Sequence, residues 1–378
     1  MKNILLIIFA VFTMACTGNP KVLVDVENTS AIDRQGKVVE VSWSSVEALK
    51  SFSLVVLDDK GAEIPSQIIY QGEVNPQSLI FEVDIPANSK KTYTIQKGVP
   101  AEYAIKTFGR QVPERKDDFA WENDRVVFRV YGPALANENP SNGVDLWLKK
   151  TPNMIVNKFY KGDLEERKSY HVDHGEGLDC YKVGHTLGAG AIAPFLDNQI
   201  WVGNHYTTAR VLDSGALRTS FELTYDAIKV ADKTVSAKVY VSLDAGSQFN
   251  KAVVYYSGDF ETIDLAAGIF LHNELGEIQT NTENGTVAYA ENAVSDAGVP
   301  AGRNYVGVVF ATPVKEIFQD AVHVAGITSY KMETPLEYYF GGGWSQWGFE
   351  SDSDWFEHVE DFSKQLKTPL IVTIKEAE

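Results

Sequence analysis

From residue 21 onward the chain alternates between apolar and polar positions in short runs, with polar, often glycine-bearing turns between them. "KVLVDVENTS", "KVVEVSW", "SFSLVVLDD", "SQIIYQG", "SLIFEVDI" and "KTYTIQKG" form a first group. Period two buries one face of a strand and wets the other, and turns at roughly ten-residue spacing suit a small antiparallel β-sandwich. "GVPAEY" and the charged "GRQVPERKDD" read as a linker. In "RVVFRVYGP", Val126, Phe128 and Val130 alternate with Val127, Arg129 and Tyr131. "VDLWLKK", "RTSFELTYDAIKV", "KTVSAKVYVSLD", "KAVVYYSGD", "AAGIFLHNE", "RNYVGVVFATP" and "LEYYFGGGW" continue in the same manner. So many strands without helices between them exclude a doubly wound sheet, and two packed antiparallel sheets are the natural solution.

One helix is predicted, near the C-terminus. Trp355, Val359, Phe362 and Leu366 recur on one helical stripe, Ser351 and Asp354 suit a capping box, and Pro369 ends the run before "LIVTI". The predicted fold is all-β: a small N-terminal β-sandwich over 21–100, then a large antiparallel β-supersandwich over 116–378 carrying one C-terminal helix.

The N-terminus changes the setting. "MKNILLIIFAVFTMAC" has an apolar core too short for a permanent membrane span, followed by a small residue and Cys16. Residues 1–15 read as a lipoprotein signal peptide and Cys16 as the lipidated first residue of the mature chain. The expected location is lipid-anchored in the cell envelope, at the outer membrane, with the periplasmic side favoured over the surface. Cys180 is then the sole remaining cysteine, so stability must come from the core. Acidic residues outnumber basic ones by 51 to 34, which argues against nucleic acid and leaves the anchor as the only membrane contact. An anionic substrate stays open, because a local basic cluster can dominate a cleft.

Candidate chemistry gathers in "SYHVDHGEGLDCYKVGHTLGAGAIAPF", which holds His171, His174 and His185 of the chain's seven histidines. The segment is glycine-rich and reads as a long connection on a β scaffold, where ligands are commonly met. Three chemistries fit. His171, Asp173, His174 and Glu176 could ligate a divalent metal, the cofactor candidate. His171, His174, Tyr181, Lys182 and His185 could perform acid/base catalysis on a sugar, as in β-elimination or epimerisation of a uronate. The same groups could instead form a hydrogen-bonded network that pins the loop.

Further positions lean towards sugar. Trp201, His205 and Arg210 lie in "WVGNHYTTAR", and Trp344 and Trp347 in "FGGGWSQWGF" on what reads as a flexible glycine platform. Arg218 and Glu222 share a strand face, and His272 ends an apolar strand. These residues are the candidate substrate contacts, with Arg210 and Arg218 as clamps for a carboxylate. The partner expected is an acidic oligosaccharide or polysaccharide. The alternative is a non-catalytic glycan-binding lipoprotein that uses Trp201, Trp344 and Trp347 as platforms.

At "RVVFRVYGPAL", "GVDLWLKK", "SYHVDHGEGLDCYKVGHTLGAGA" and "YYFGGGWSQWGF" the chain resembles the Bacteroidetes lipoprotein family of domain of unknown function 4861. The resemblance implies a supersandwich similar to galactose-mutarotase-like and polysaccharide-lyase folds, and a place in glycan-degrading systems. It carries over no catalytic residue, and fold alone does not assign a function.

Overall fold

Both alternating groups fold as antiparallel sheets in the computed structural model, which describes residues 20–138, 140–272 and 276–376. The first group makes a two-sheet sandwich. One sheet runs in the order Ile371–Glu376, Lys21–Asn28, Ser89–Lys97, Leu54–Leu57, Glu63–Ile64; the other is Arg34–Ser42, Ser78–Ile85, Ser66–Ile69. Val24 and Val26 face Val39, Val41, Phe81 and Val83 across the core, as period two requires.

Two boundaries read from the sequence move. The strand Ile371–Glu376 pairs antiparallel with Lys21–Asn28, so the C-terminus closes the N-terminal sandwich rather than the large part. Within the supposed linker, Thr107–Val112 is a strand on Asp118–Asn123, so the large part begins before Arg115. Its charges misled because they belong to an edge strand and its turn.

The large part contains an eight-stranded antiparallel sheet and two five-stranded sheets. The eight-stranded sheet includes Arg218–Val230, Lys233–Asp244, Phe249–Gly258, Leu336–Trp344 and Pro300–Phe310. A common core gathers Phe128, Leu146, Ile192, Phe221, Leu265, Val306 and Phe340. The expected helix, α2 (Asp352–Lys367), has the full capping box: Ser351 accepts from the Asp354 N–H while the Asp354 carboxylate accepts from the Ser351 N–H. Trp355 and Val359 bury against Phe249 and Tyr305 on the eight-stranded sheet, with Phe362 and Leu366 beside them.

A second helix was not legible in the sequence. α1 (Val156–Glu166) covers Trp147 with Phe159 and Tyr160, and the charged run "DLEERK" includes its last turn. The "GGG" of residues 341–343 is not a flexible platform either. It lies in the buried strand Leu336–Trp344, and a Cβ at Gly342 would sit 2.5 Å from Leu146. Those glycines admit large neighbours rather than motion. The end of the central segment, Ala189–Leu196, is likewise a buried core strand.

Candidate active site

The site grows from one face of the sheet Gly177–Asp179, Val144–Lys149, Val127–Val130, Asp118–Asn123, Thr107–Val112. Period two sends Asp118, Arg129, Asp145 and Asp179 to the face beneath α1, with Arg129 directly opposite Asp145 in the register. Gly177 makes the last strand possible: its φ is 138°, and a Cβ would sit 2.0 Å from the Leu148 carbonyl oxygen.

Arg129 is buried. Its Nη2 lies 2.6 Å from Asp145 Oδ2 and 2.7 Å from Asp179 Oδ2, and Nη1 is 3.8 Å from Asp118. Arg115 reaches Asp118 at 3.3 Å, and the Tyr160 hydroxyl donates to Asp118 at 3.1 Å. The guanidinium also sits over the Tyr131, Trp147 and Tyr170 rings, 4.9 to 5.6 Å from their centroids. Two arginines thus face three aspartates in a water-poor space. Burial, then Asp145, pushes the Asp179 carboxyl well above the usual carboxylate range; burial raises Asp118 against the pull of Arg129 and Arg115. Burial alone would lower Arg129, but Asp145 and Asp179 outweigh it and raise it. Arg129 Nε and Asp145 Oδ1 are buried without a partner among the described residues. A purely structural ion cluster gains nothing by leaving such atoms unmet.

Above this cluster lies an open hollow of about 200 Å³. His171, Asp179, Tyr181 and Lys182 line it together with Arg115, Arg129, Tyr131 and Asp296. The His171 side chain is 34% exposed. Its Nδ1 donates to the Asp179 carbonyl oxygen at 2.9 Å, which assigns the tautomer and leaves Nε2 as the basic nitrogen. Carboxylate oxygens of Asp179 and Asp296 lie 3.6 and 3.7 Å from Nδ1. Tyr131 is half-buried, and its phenol is raised above the usual range, first by burial and then by Asp145. It stays a proton donor at neutral pH. Arg115, 3.3 Å from Asp118, and the exposed Lys182, 3.7 Å from Asp296, bring cations to the rim.

Three of the sequence-predicted catalytic residues therefore meet: His171, Tyr181 and Lys182. Tyr181 cannot act as a base, because it is 4% exposed and burial holds its phenol far above neutral pH. It packs edge-on against His272, 4.5 Å between ring centroids, and His272 bonds Glu291 and the Lys182 carbonyl. His272 is thus a buttress behind the hollow. His174 turns away to the Ser169 carbonyl, and His185 to the Pro140 carbonyl.

The metal set does not converge. Asp173 is held by Lys150 at 2.5 Å and Glu176 by Lys158, and no cluster of three or more His, Cys, Asp or Glu arranged for a metal ion occurs among the described residues. The substrate contacts scatter as well. Arg210 and Glu222 pair on the eight-stranded sheet at 3.7 Å, and Arg218 is bound to Asp244 and Glu40. His205 is buried near Tyr131, 6.2 Å between ring centroids. Trp201 is partly buried with its N–H on the Leu196 carbonyl. Trp344 is 1% exposed, so it is no platform, while Trp347 is partly exposed under Arg125. Cys16 lies outside the described residues.

The sequence reading missed Arg115, Arg129, Tyr131 and Asp179 as site residues. The signal was present for two of the hollow's groups: Arg129 and Tyr131 share a face in a run otherwise filled with valine and phenylalanine.

Fold and site together define an all-β protein in which a buried arginine–aspartate cluster floors a solvent-open hollow with an oriented histidine. The chain belongs to the family described as Domain of unknown function (DUF4861), whose model matches residues 26–372. It is 30% identical over 377 residues to Uncharacterized protein P7 of Formosa agariphila, covering 93% of each chain. Among solved structures it is similar to a protein in the glycosyl hydrolase family 38 from Enterococcus faecalis (TM-score 0.49, 10% identity), covering 94% of this chain and 47% of the other. An α-mannosidase from Enterococcus faecalis V583 gives a TM-score of 0.44 at 10% identity, over 95% of this chain and 46% of that one. The chain spans about half the length of these two structures.

Proposed function

We propose that the chain is a carbohydrate-active lipoprotein of a glycan-degradation system, acting by acid/base chemistry on an acidic oligosaccharide. Cys16 would anchor it in the cell envelope at the outer membrane. The observation that carries the reading is the His171 imidazole, its tautomer set by the Asp179 carbonyl, opening into the same hollow as Tyr131, Arg115 and Lys182.

In an elimination, His171 Nε2 removes the proton α to a uronate carboxylate. Arg115 and Lys182 offset the charge that builds on that carboxylate, and Tyr131 protonates the leaving glycosidic oxygen as the C–O bond breaks and a C=C bond forms. In an epimerisation the same base step is followed by return of a proton to the other face. The His171 ring that takes up the proton lies 3.6 Å from an Asp179 oxygen and 3.7 Å from an Asp296 oxygen. The alternative, a non-catalytic glycan-binding lipoprotein, retains only the partly exposed Trp201 and Trp347, since Trp344 is sealed.

A panel of uronate-containing oligosaccharides tests the reading. Absorbance of an unsaturated product reports elimination, and mass spectrometry in D₂O reports exchange of the α-proton. Elimination that falls in Tyr131→Phe, or α-proton exchange that falls in His171→Ala, supports it. Binding without either signal across the panel favours the non-catalytic alternative.

A further inference from the structure

A second hollow, of about 370 Å³, opens where the N-terminal sandwich, the eight-stranded sheet and α2 meet. Arg34, Lys37, Arg218, Tyr339, Phe362 and Leu370 are among the residues that line it. It shares no lining residue with the His171 hollow, and it is where the structure places Arg218.

Its charges do not balance. Arg218 is spent on Asp244, at 2.5 and 2.9 Å, and on Glu40 at 2.6 Å. Lys251, also at the wall, is spent on Glu337 at 2.6 Å. Arg34 and Lys37 are different. Arg34 is 3% exposed, and its Nη2 donates only to neutral acceptors, the Ser30 hydroxyl and the Thr368 carbonyl and hydroxyl, while its buried Nε meets no acceptor among the described residues. Lys37 has no carboxylate in ion-pair reach among the described residues, and burial, with Arg34 adding and Asp244 opposing, pulls its ammonium below the ordinary lysine range. Residues three apart in a regular strand point to opposite faces. Here the register shifts between Arg34 and Lys37, and Gly36 takes φ 56°, so both line one space. Two cations without an ion-pair partner in a part-buried hollow are costly, and Asp244 at its wall acts on Lys37 only from beyond ion-pair distance.

We propose that this hollow binds an oxyanion, carboxylate, sulfate or phosphate, borne on a sugar-sized body, with Arg34 and Lys37 holding the charge and the Tyr339 and Phe362 rings flanking the body. Oxyanions satisfy guanidinium and ammonium donors together, and aromatic walls suit the C–H faces of a sugar. The volume lies within the range of small-ligand pockets.

Calorimetric titration of the intact chain at constant ionic strength tests this, with inorganic sulfate, inorganic phosphate, galacturonate and neutral glucose as probes. At least one anion should bind and glucose should not. Lys37→Met, which keeps the aliphatic stem, should weaken anion binding by about tenfold or more, and Lys37→Arg should restore most of it. Preference for galacturonate marks a sugar-borne anion; equal binding of the inorganic ions marks a free one. Absence of binding by all three anions overturns the proposal, as does Lys37→Met binding as tightly as wild type.

Discussion

Arg129 and Asp179 meet at 2.7 Å between Nη2 and Oδ2, and neither side chain exposes more than 2% of its surface. Charges that deep hold only while they compensate each other. Removing one partner strands the rest, which costs more than the pair itself ever contributed.

Arg129→Met should therefore destabilise the fold by about 3–5 kcal/mol, because Asp118, Asp145 and Asp179 lose their shared cation. Urea denaturation reads the loss. Adding Asp179→Asn to that variant should recover part of it, since the stranded negative charge falls. A variant as stable as wild type would mean that the cluster is already neutral without the arginine.

Acid sensitivity should trace to His358. Burial, with Lys37 adding, holds its imidazole down from 6.5 to about 4, where it stacks on Phe249 and Trp355. Between those values the unfolded chain binds the proton and the folded chain does not. Stability is then full above pH 6.5 and falls as pH drops towards 4, by about 3 kcal/mol at most. His358→Phe, which can keep the stack, should flatten that part of the stability–pH curve measured by thermal denaturation. An unchanged slope would place the sensitivity elsewhere.

The two tryptophans of "GGGWSQW" should separate. Trp344 is buried with its N–H on the Ala301 carbonyl, so Trp344→Ala should cost about 3–5 kcal/mol of stability. Trp347→Ala should cost about 1 kcal/mol or less, its ring being partly exposed under Arg125. Equal losses in denaturation midpoint would show that both rings belong to the core.

What could be read from the sequence was local. Alternation exposed the strands because Val24, Val26, Val39 and Val41 sit on single faces, and the capping box of α2 is written within four consecutive residues, Ser351 to Asp354. α1 escaped because its start is capped from afar: Glu122 accepts the Ile155 and Val156 N–H groups across separations of 33 and 34 residues. Its buried face is also short, Val156, Phe159, Tyr160 and Gly162, with no repeated aliphatic stripe. For the site, the central segment correctly drew attention to His171 and Lys182, yet density of ionisable groups does not reveal direction. His174 and Asp173 lie within three residues of His171 and bond elsewhere. Arg115 and Tyr131 arrive from other strands and turns of the same sheet, and Arg218 meets Glu40 across 178 residues. Such meetings are set by topology, which periodicity does not encode.

The most direct measurement compares turnover of a uronate-containing oligosaccharide by wild type, His171→Ala and His174→Ala under one set of conditions. His171→Ala should lose about 10²-fold or more, as removal of a general base does, while His174→Ala should stay within about twofold. Equal losses in both variants, or full turnover by His171→Ala, would contradict a reaction centred on the hollow above Arg129 and Asp179.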